Sequence, residues 1–124
     1  MKEALSVYSP EEIGQKLAAE LPHWYYEEGW IRRKYKTSGW KGTLMLVNTI
    51  GHLAEVAWHH PDLTVSYAFV IVKLMTHSAK GITDKDFLLA KQIESVVLWR
   101  PTDGILEGTP DDPRFKYIKY ETDS

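Results

Sequence analysis

"EVAWHHPDLTVSYAFVIVKLMTHSAKGITDKD", residues 55–86, contains the changes of pattern that set the architecture. Just upstream, from about Trp40, the residues Leu44, Val47, Ile50, Ala54 and Ala57 recur at three-or-four spacing. That spacing predicts an amphipathic helix of about five turns with Glu55 on its last turn. Pro61 stops it, because the residue before a proline is pushed out of the helical region. Trp58, His59 and His60 therefore fall at the helix C-terminus or in the loop beyond. "TVSYAFVIVKLMT" (64–76) is β-branched and aromatic with no breaker, and reads as one long strand. The loop "HSAKGI" follows. Thr83 with Asp86 then forms a capping-box pattern that opens a helix through Leu89, Ile93 and Val97.

Working outward, Ser9 caps a first helix, Pro10 suits its first turn, and Glu12 stands in capping-box position. Ile13, Leu17 and Leu21 give this helix a core-facing stripe, and Pro22 ends it. In "HWYYEEGWIRRKYKT" (23–37), aromatic and branched residues flank Glu28-Gly29, the signature of a hairpin turn between two strands. The charges of "RRKYK" read as a solvated strand edge. Trp99 to Pro113 is rich in Gly, Pro and Asp and reads as irregular, and "RFKYIKY" (114–120) is available as a last short strand. The expected fold is α+β in a single domain: a four-stranded antiparallel sheet with helices packed on one face, in the order α-β-β-α-β-β/α.

With 124 residues and 44% apolar content, the chain fits one modest core, and assembly into oligomers is expected. Fifteen basic and 17 acidic residues are well mixed, so no basic stripe offers itself to nucleic acid. No cysteine is present, which excludes disulfide and thiolate chemistry. No basic segment followed by an apolar run opens the chain, and the longest apolar stretch, near 68–72, is too short to span a bilayer. A cytoplasmic location without membrane contact is expected.

Three of five histidines, His59, His60 and His77, lie within 19 residues. Adjacent histidines at a helix end often only cap carbonyls, which suits the dipole. Zinc binding is disfavoured, since sequence neighbours seldom point at one ion and no His-x-x-x-His pair supports them, so no metal site is expected. Taken singly, Asp86 is most simply a cap residue and Tyr67 a strand aromatic filling the core. Trp24 is equally a core anchor or a pocket wall. His52 reads as helix-surface packing, and His23 fits no pattern.

Together these residues say more. The stretch resembles the signature of pterin-4a-carbinolamine dehydratases: an acidic or polar residue, three of any kind, His-His-Pro, an aromatic six places on, a histidine ten later and an aspartate nine after that. Glu55, His59, His60, Pro61, Tyr67, His77 and Asp86 fill all seven places. "LPHW" with Trp24 and "GITDKDFLLAKQIE" extend the likeness to about residues 8–98. Trp58 departs from the small or acidic residue frequent there and would narrow a pocket. The tail "TPDDPRFKYIKY" lies beyond the minimal domain, so residues 1–100 are expected to form the dehydratase-like domain. Residues 101–124 are expected to pack on it as a C-terminal extension.

The resemblance implies a hydro-lyase that dehydrates 4a-hydroxytetrahydropterin to quinonoid dihydropterin and water, recycling tetrahydropterin. Imidazoles near neutral pH would carry the protons, with no metal or organic cofactor. It further implies His60 and His77 on opposite sides of a flat pterin, His59 completing the set, and Glu55 orienting an imidazole. Trp58, Met75, Thr76 and Ser78 are expected to line the pocket, with Trp24 stacking on the ring and Pro61 and Asp86 at its edge. Homodimers or homotetramers are typical of the family. The alternative is a non-catalytic interaction or assembly module on the same fold.

Overall fold

The structure is a computed structural model that describes residues 5–121. Three helices are set by local signals. In α1 (Pro10–Glu20) the Ser9 side chain accepts from the Glu12 N–H while Glu12 accepts from the Ser9 N–H, and Ile13 and Leu17 are buried. The hairpin of β1 (Tyr25–Glu27) and β2 (Trp30–Lys36) turns on Glu28 (φ 48°) and Gly29 (φ 87°), the two positive dihedrals that a tight hairpin requires. α2 (Trp40–Ala57) follows. β3 (Asp62–Ser66) and β4 (Phe69–Leu74) then lead through a short 3-10 turn (His77–Ala79) into α3 (Asp84–Val97), which the Thr83–Asp86 capping box opens.

The sheet has the order β1-β2-β4-β3 and is antiparallel throughout. Ile31 lies opposite Leu74 and Tyr35 opposite Val70, so the alternation of the two central strands aims Ile31, Tyr35, Val70, Val72 and Leu74 at one face. The helices cover that face with Ile13, Leu17, Leu46, Ile50, Phe87, Ala90 and Ile93. Each fully buried aliphatic or Phe side chain contributes about 1.5–3 kcal/mol. The opposite face carries Arg32, Lys34, Lys36, Phe69, Ile71 and Lys73. No described helix is long and apolar enough to cross a membrane.

Four features differ from the reading of the sequence. The expected single strand 64–76 is a hairpin, β3 and β4, turning at Tyr67-Ala68. Neither turn residue has a positive φ, so no Gly or Asn marks the turn. Tertiary bonds hold it instead: the Thr43 hydroxyl donates to the Tyr67 carbonyl (2.9 Å), and the Thr37 N–H donates to the Ala68 carbonyl (2.9 Å). Tyr67 therefore sits on the hairpin tip, 68% exposed, and does not fill the core.

Second, the α2 stripe is rotated. Thr43, Leu46, Ile50 and Ala54 are buried, whereas Leu44 and Ala57 face outward. Third, Arg33 is not at a solvated edge. Strand alternation turns it inward beside Tyr35, where Glu94 accepts from Arg33 Nε (3.0 Å), the Tyr35 hydroxyl (2.5 Å) and Trp24 Nε1 (3.2 Å). Burial alone would lower the Arg33 pKa, but the Glu94 hydrogen bond and charge outweigh it and hold Arg33 above its usual value. Burial, then the Glu94 charge, pushes the Tyr35 phenol far above the usual range.

Fourth, "RFKYIKY" forms no full strand. Its Ile118 pairs with Thr37 as an isolated bridge, and the Lys119 N–H donates to the Lys36 carbonyl. The tail thus lies beside the end of β2 that short β1 leaves unpaired, and Ile118 enters the core.

Candidate active site

The end of α2 decides where the histidines go. Trp58 adopts a left-handed conformation (φ 54°, ψ 46°), and the His59 N–H returns to the Ala54 carbonyl (3.1 Å), closing the helix as a Schellman turn. A left-handed Trp costs about 1–2 kcal/mol, and glycine is the usual occupant. The reversal brings His59 against the start of α3. Its Nε2 lies 2.7 Å from Asp86 Oδ1, with the imidazole 13% exposed and the carboxylate fully buried. The other oxygen, Oδ2, accepts from the Thr76 hydroxyl (2.8 Å) and the Thr83 N–H (2.9 Å). Asp86 is thus both the helix cap that its spacing implied and the partner of an imidazole.

His60 takes the other side of the turn. Its Nε2 is 2.8 Å from Glu55 Oε1, both side chains are more than half exposed, and its ring meets Trp58 edge-on at 5.0 Å. His77, exposed at the start of the 3-10 turn, meets the Trp30 ring edge-on at 5.6 Å. Thr76, next in the chain, ties that turn to Asp86 and so to His59. The three imidazoles therefore stand at one end of the fold, on three different anchors.

A groove of about 480 Å³ between α2 and α3 opens beside His59, walled by Leu53, Val56, Trp58, Lys85 and Leu88. Its size suits a small organic ligand. His59 and Trp58 line it; His60 and His77 do not. Met75 is half-buried against the core, Ser78 is exposed and Pro61 half-buried. Thr76, expected to line the pocket, is buried with its hydroxyl on Asp86. Trp24, expected as a possible stacking wall, lies 3% exposed in the core because its indole N–H bonds Glu94. Trp30, Thr83 and Lys85 escaped the sequence reading. Trp30 meets His77 only through the β2–β4 register, and Thr83 looked like a cap alone. Among the described residues, no group of three or more His, Asp or Glu side chains is arranged to hold a metal ion.

Comparison with known proteins gives the chain its relatives. The family model for pterin 4 alpha carbinolamine dehydratase matches residues 6–96. A protein of Aquifex aeolicus (strain VF5), provisionally named a pterin-4-alpha-carbinolamine dehydratase, is 46% identical over 89 residues, 72% of this chain and 89% of that one. A provisionally named relative from Sulfolobus acidocaldarius is 38% identical over 85 residues, 68% of this chain and 92% of that one. The crystal structure of a transcriptional coactivator/pterin dehydratase from Brucella melitensis matches with a TM-score of 0.66 at 25% identity, covering 73% of this chain and 98% of that chain. The chain belongs to the pterin 4 alpha carbinolamine dehydratase family, a family of dehydrating hydro-lyases.

Proposed function

We propose that this protein dehydrates 4a-hydroxytetrahydropterin to quinonoid dihydropterin and water by histidine general acid–base catalysis, and thereby recycles a tetrahydropterin cofactor. The observation that carries the reading is a pair of imidazole–carboxylate contacts on consecutive residues, His59–Asp86 at 2.7 Å and His60–Glu55 at 2.8 Å. The scissile bond joins a ring carbon to a hydroxyl that leaves poorly unless protonated. The neighbouring ring nitrogen supplies the electrons and gives up its proton, so one acid and one base complete the reaction.

Imidazole suits both tasks near neutral pH. Exposed His60 and His77 flank the pterin, one protonating the departing hydroxyl, and His59 binds the ring or accepts the nitrogen proton. Glu55 orients His60 through the 2.8 Å contact to its Nε2. Trp58 walls the site, with Met75, Ser78 and Pro61 at its rim. No metal or organic cofactor enters this scheme. A cytoplasmic homodimer or homotetramer, binding neither nucleic acid nor membrane, completes the reading.

The Brucella protein is named a transcriptional coactivator as well as a dehydratase, which favours a second reading: an interaction or assembly module on the same fold. One assay separates them. Added to a hydroxylase reaction that accumulates carbinolamine, the protein accelerates the ultraviolet absorbance decay, and His60→Ala or His77→Ala slows that effect by roughly 100-fold or more. Decay at the uncatalysed rate with wild-type protein supports the module instead. Wild-type turnover in both variants removes these two histidines from the mechanism.

A further inference from the structure

With Asp86 ionised, the hydrogen bonds around it have only one consistent direction. Asp86 is fully buried and takes three contacts, from His59 Nε2, the Thr76 hydroxyl and the Thr83 N–H. An ionised carboxylate only accepts, so each partner must donate. The single proton of Thr76 is then committed to Asp86. The 2.8 Å contact between the Thr76 and Thr83 hydroxyls follows, with Thr83 as donor and Thr76 as acceptor. Thr83 in turn accepts from the Lys85 N–H at 3.2 Å. The chain thus runs from the first turn of α3 through Thr83, Thr76 and Asp86 to His59, every member satisfied. No buried side-chain N or O among the described residues lacks a partner.

The geometry points to Thr76 and Thr83 as positioning residues that fix the carboxylate of Asp86 and so hold His59 with its proton on Nε2, leaving Nδ1 as its basic nitrogen. Both threonines are buried, with their hydroxyls bonded to each other and to Asp86. Thr76, 2% exposed, acts from beneath the site and not as part of its wall. A bland alternative is that both threonines only cap α3. However, the cap's backbone N–H groups are taken by Thr83 Oγ1 and Asp86 Oδ2, and the Thr76 hydroxyl accepts from none of them; it links those two side chains from the strand side. The charged groups that bear on His59 are Asp86 and Lys85 from α3, and Glu55 from the last turn of α2, the latter engaged by His60.

The consequence for turnover rests on the dehydratase reading; the consequence for His59 does not. Thr76→Val keeps the shape but removes one donor from Asp86, making the carboxylate more basic and the His59 cation more favourable. In histidine-15N-labelled protein, the His59 titration midpoint then moves upward, while kcat in the carbinolamine assay falls about tenfold with KM unchanged. Thr76→Ser restores both. Thr83→Val, in which Thr76 still donates to Asp86, gives a smaller shift of the same sign and serves if Thr76→Val does not fold.

A His59 midpoint that stays at the wild-type value in both valine variants overturns the proposal, whatever turnover does. A midpoint that moves in a protein without dehydratase activity upholds the positioning role and overturns the function. A midpoint that moves with wild-type kcat in Thr76→Val confines the threonines to His59 and overturns their part in catalysis.

Discussion

Asp86→Asn tests the centre of the site with little change of shape. The buried carboxylate accepts three hydrogen bonds, two on Oδ2 and one on Oδ1. The carboxamide keeps one acceptor oxygen and gains a donor nitrogen, so it must choose a side. With nitrogen toward Thr83, two donors face each other, and the orphaned N–H costs about 1–3 kcal/mol. With oxygen toward Thr83 and Thr76, both remain satisfied, and the nitrogen faces His59 Nε2. That arrangement wins, and His59 answers by moving its proton to Nδ1.

Hydrogen bonds to charged groups contribute about 1.5–3 kcal/mol against about 0.5–1.5 for neutral ones. The loss over three bonds is partly offset by no longer burying a charge, which leaves a net loss of about 1–2 kcal/mol. For a 124-residue domain this lowers Tm by about 4–8 °C. Turnover falls far more, by about 100-fold or beyond, because the wrong nitrogen carries the proton. Thermal melts, the carbinolamine assay and imidazole 15N shifts read the three quantities. Persistence of the Nε2–H form with wild-type turnover in Asp86→Asn would falsify this account of Asp86.

Glu94→Ala leaves the buried Tyr35 hydroxyl and Trp24 indole N–H without their acceptor, while Arg33 keeps Glu121 and the Lys34 carbonyl; at about 1–3 kcal/mol for each orphaned donor, urea unfolding should show a loss of about 2–6 kcal/mol. Trp58→Gly relieves the left-handed backbone and should gain up to about 1 kcal/mol in the same experiment, unless lost ring contacts with His60 offset it. Its dehydratase KM rises if the indole walls the site; an unchanged KM argues against that role. Tyr35 has its pKa raised by folding, so its contribution is complete below the unfolded value near 10 and is lost as pH rises beyond it. Stability should therefore fall between pH 10 and 11 by up to about 1.4 kcal/mol per unit for this group, a slope that Tyr35→Phe removes. Tyr8, Tyr117 and Lys16, also raised, contribute to the slope that remains.

Elements whose determinants are local were legible. Ser9-Pro10 with Glu12, Glu28-Gly29, and Thr83 with Asp86 each place their own start or turn, and the structure puts all three there. The Tyr67-Ala68 turn was not legible, because Thr43 and Thr37 hold it from elsewhere in the chain. The rotation of α2 was also hidden: Leu44, Met45, Leu46 and Val47 are consecutive apolar residues, and only the sheet decides which is buried. In the site, the spacing from Glu55 to Asp86 named every residue of the two imidazole–carboxylate contacts. What it hid was direction. Register turns Trp30 toward His77 and Arg33 toward Glu94, and a left-handed turn sends His59 inward and His60 outward.

The measurement that bears most directly on the central claim is a titration of histidine-15N-labelled protein with a dihydropterin. The imidazole signals of His59, His60 and His77 are expected to move together and saturate at one concentration, while His52 on the outer face of α2 and His23 near Glu121 stay still. Saturation that leaves two of the three untouched, or moves all five alike, contradicts a site in which three imidazoles surround one ring.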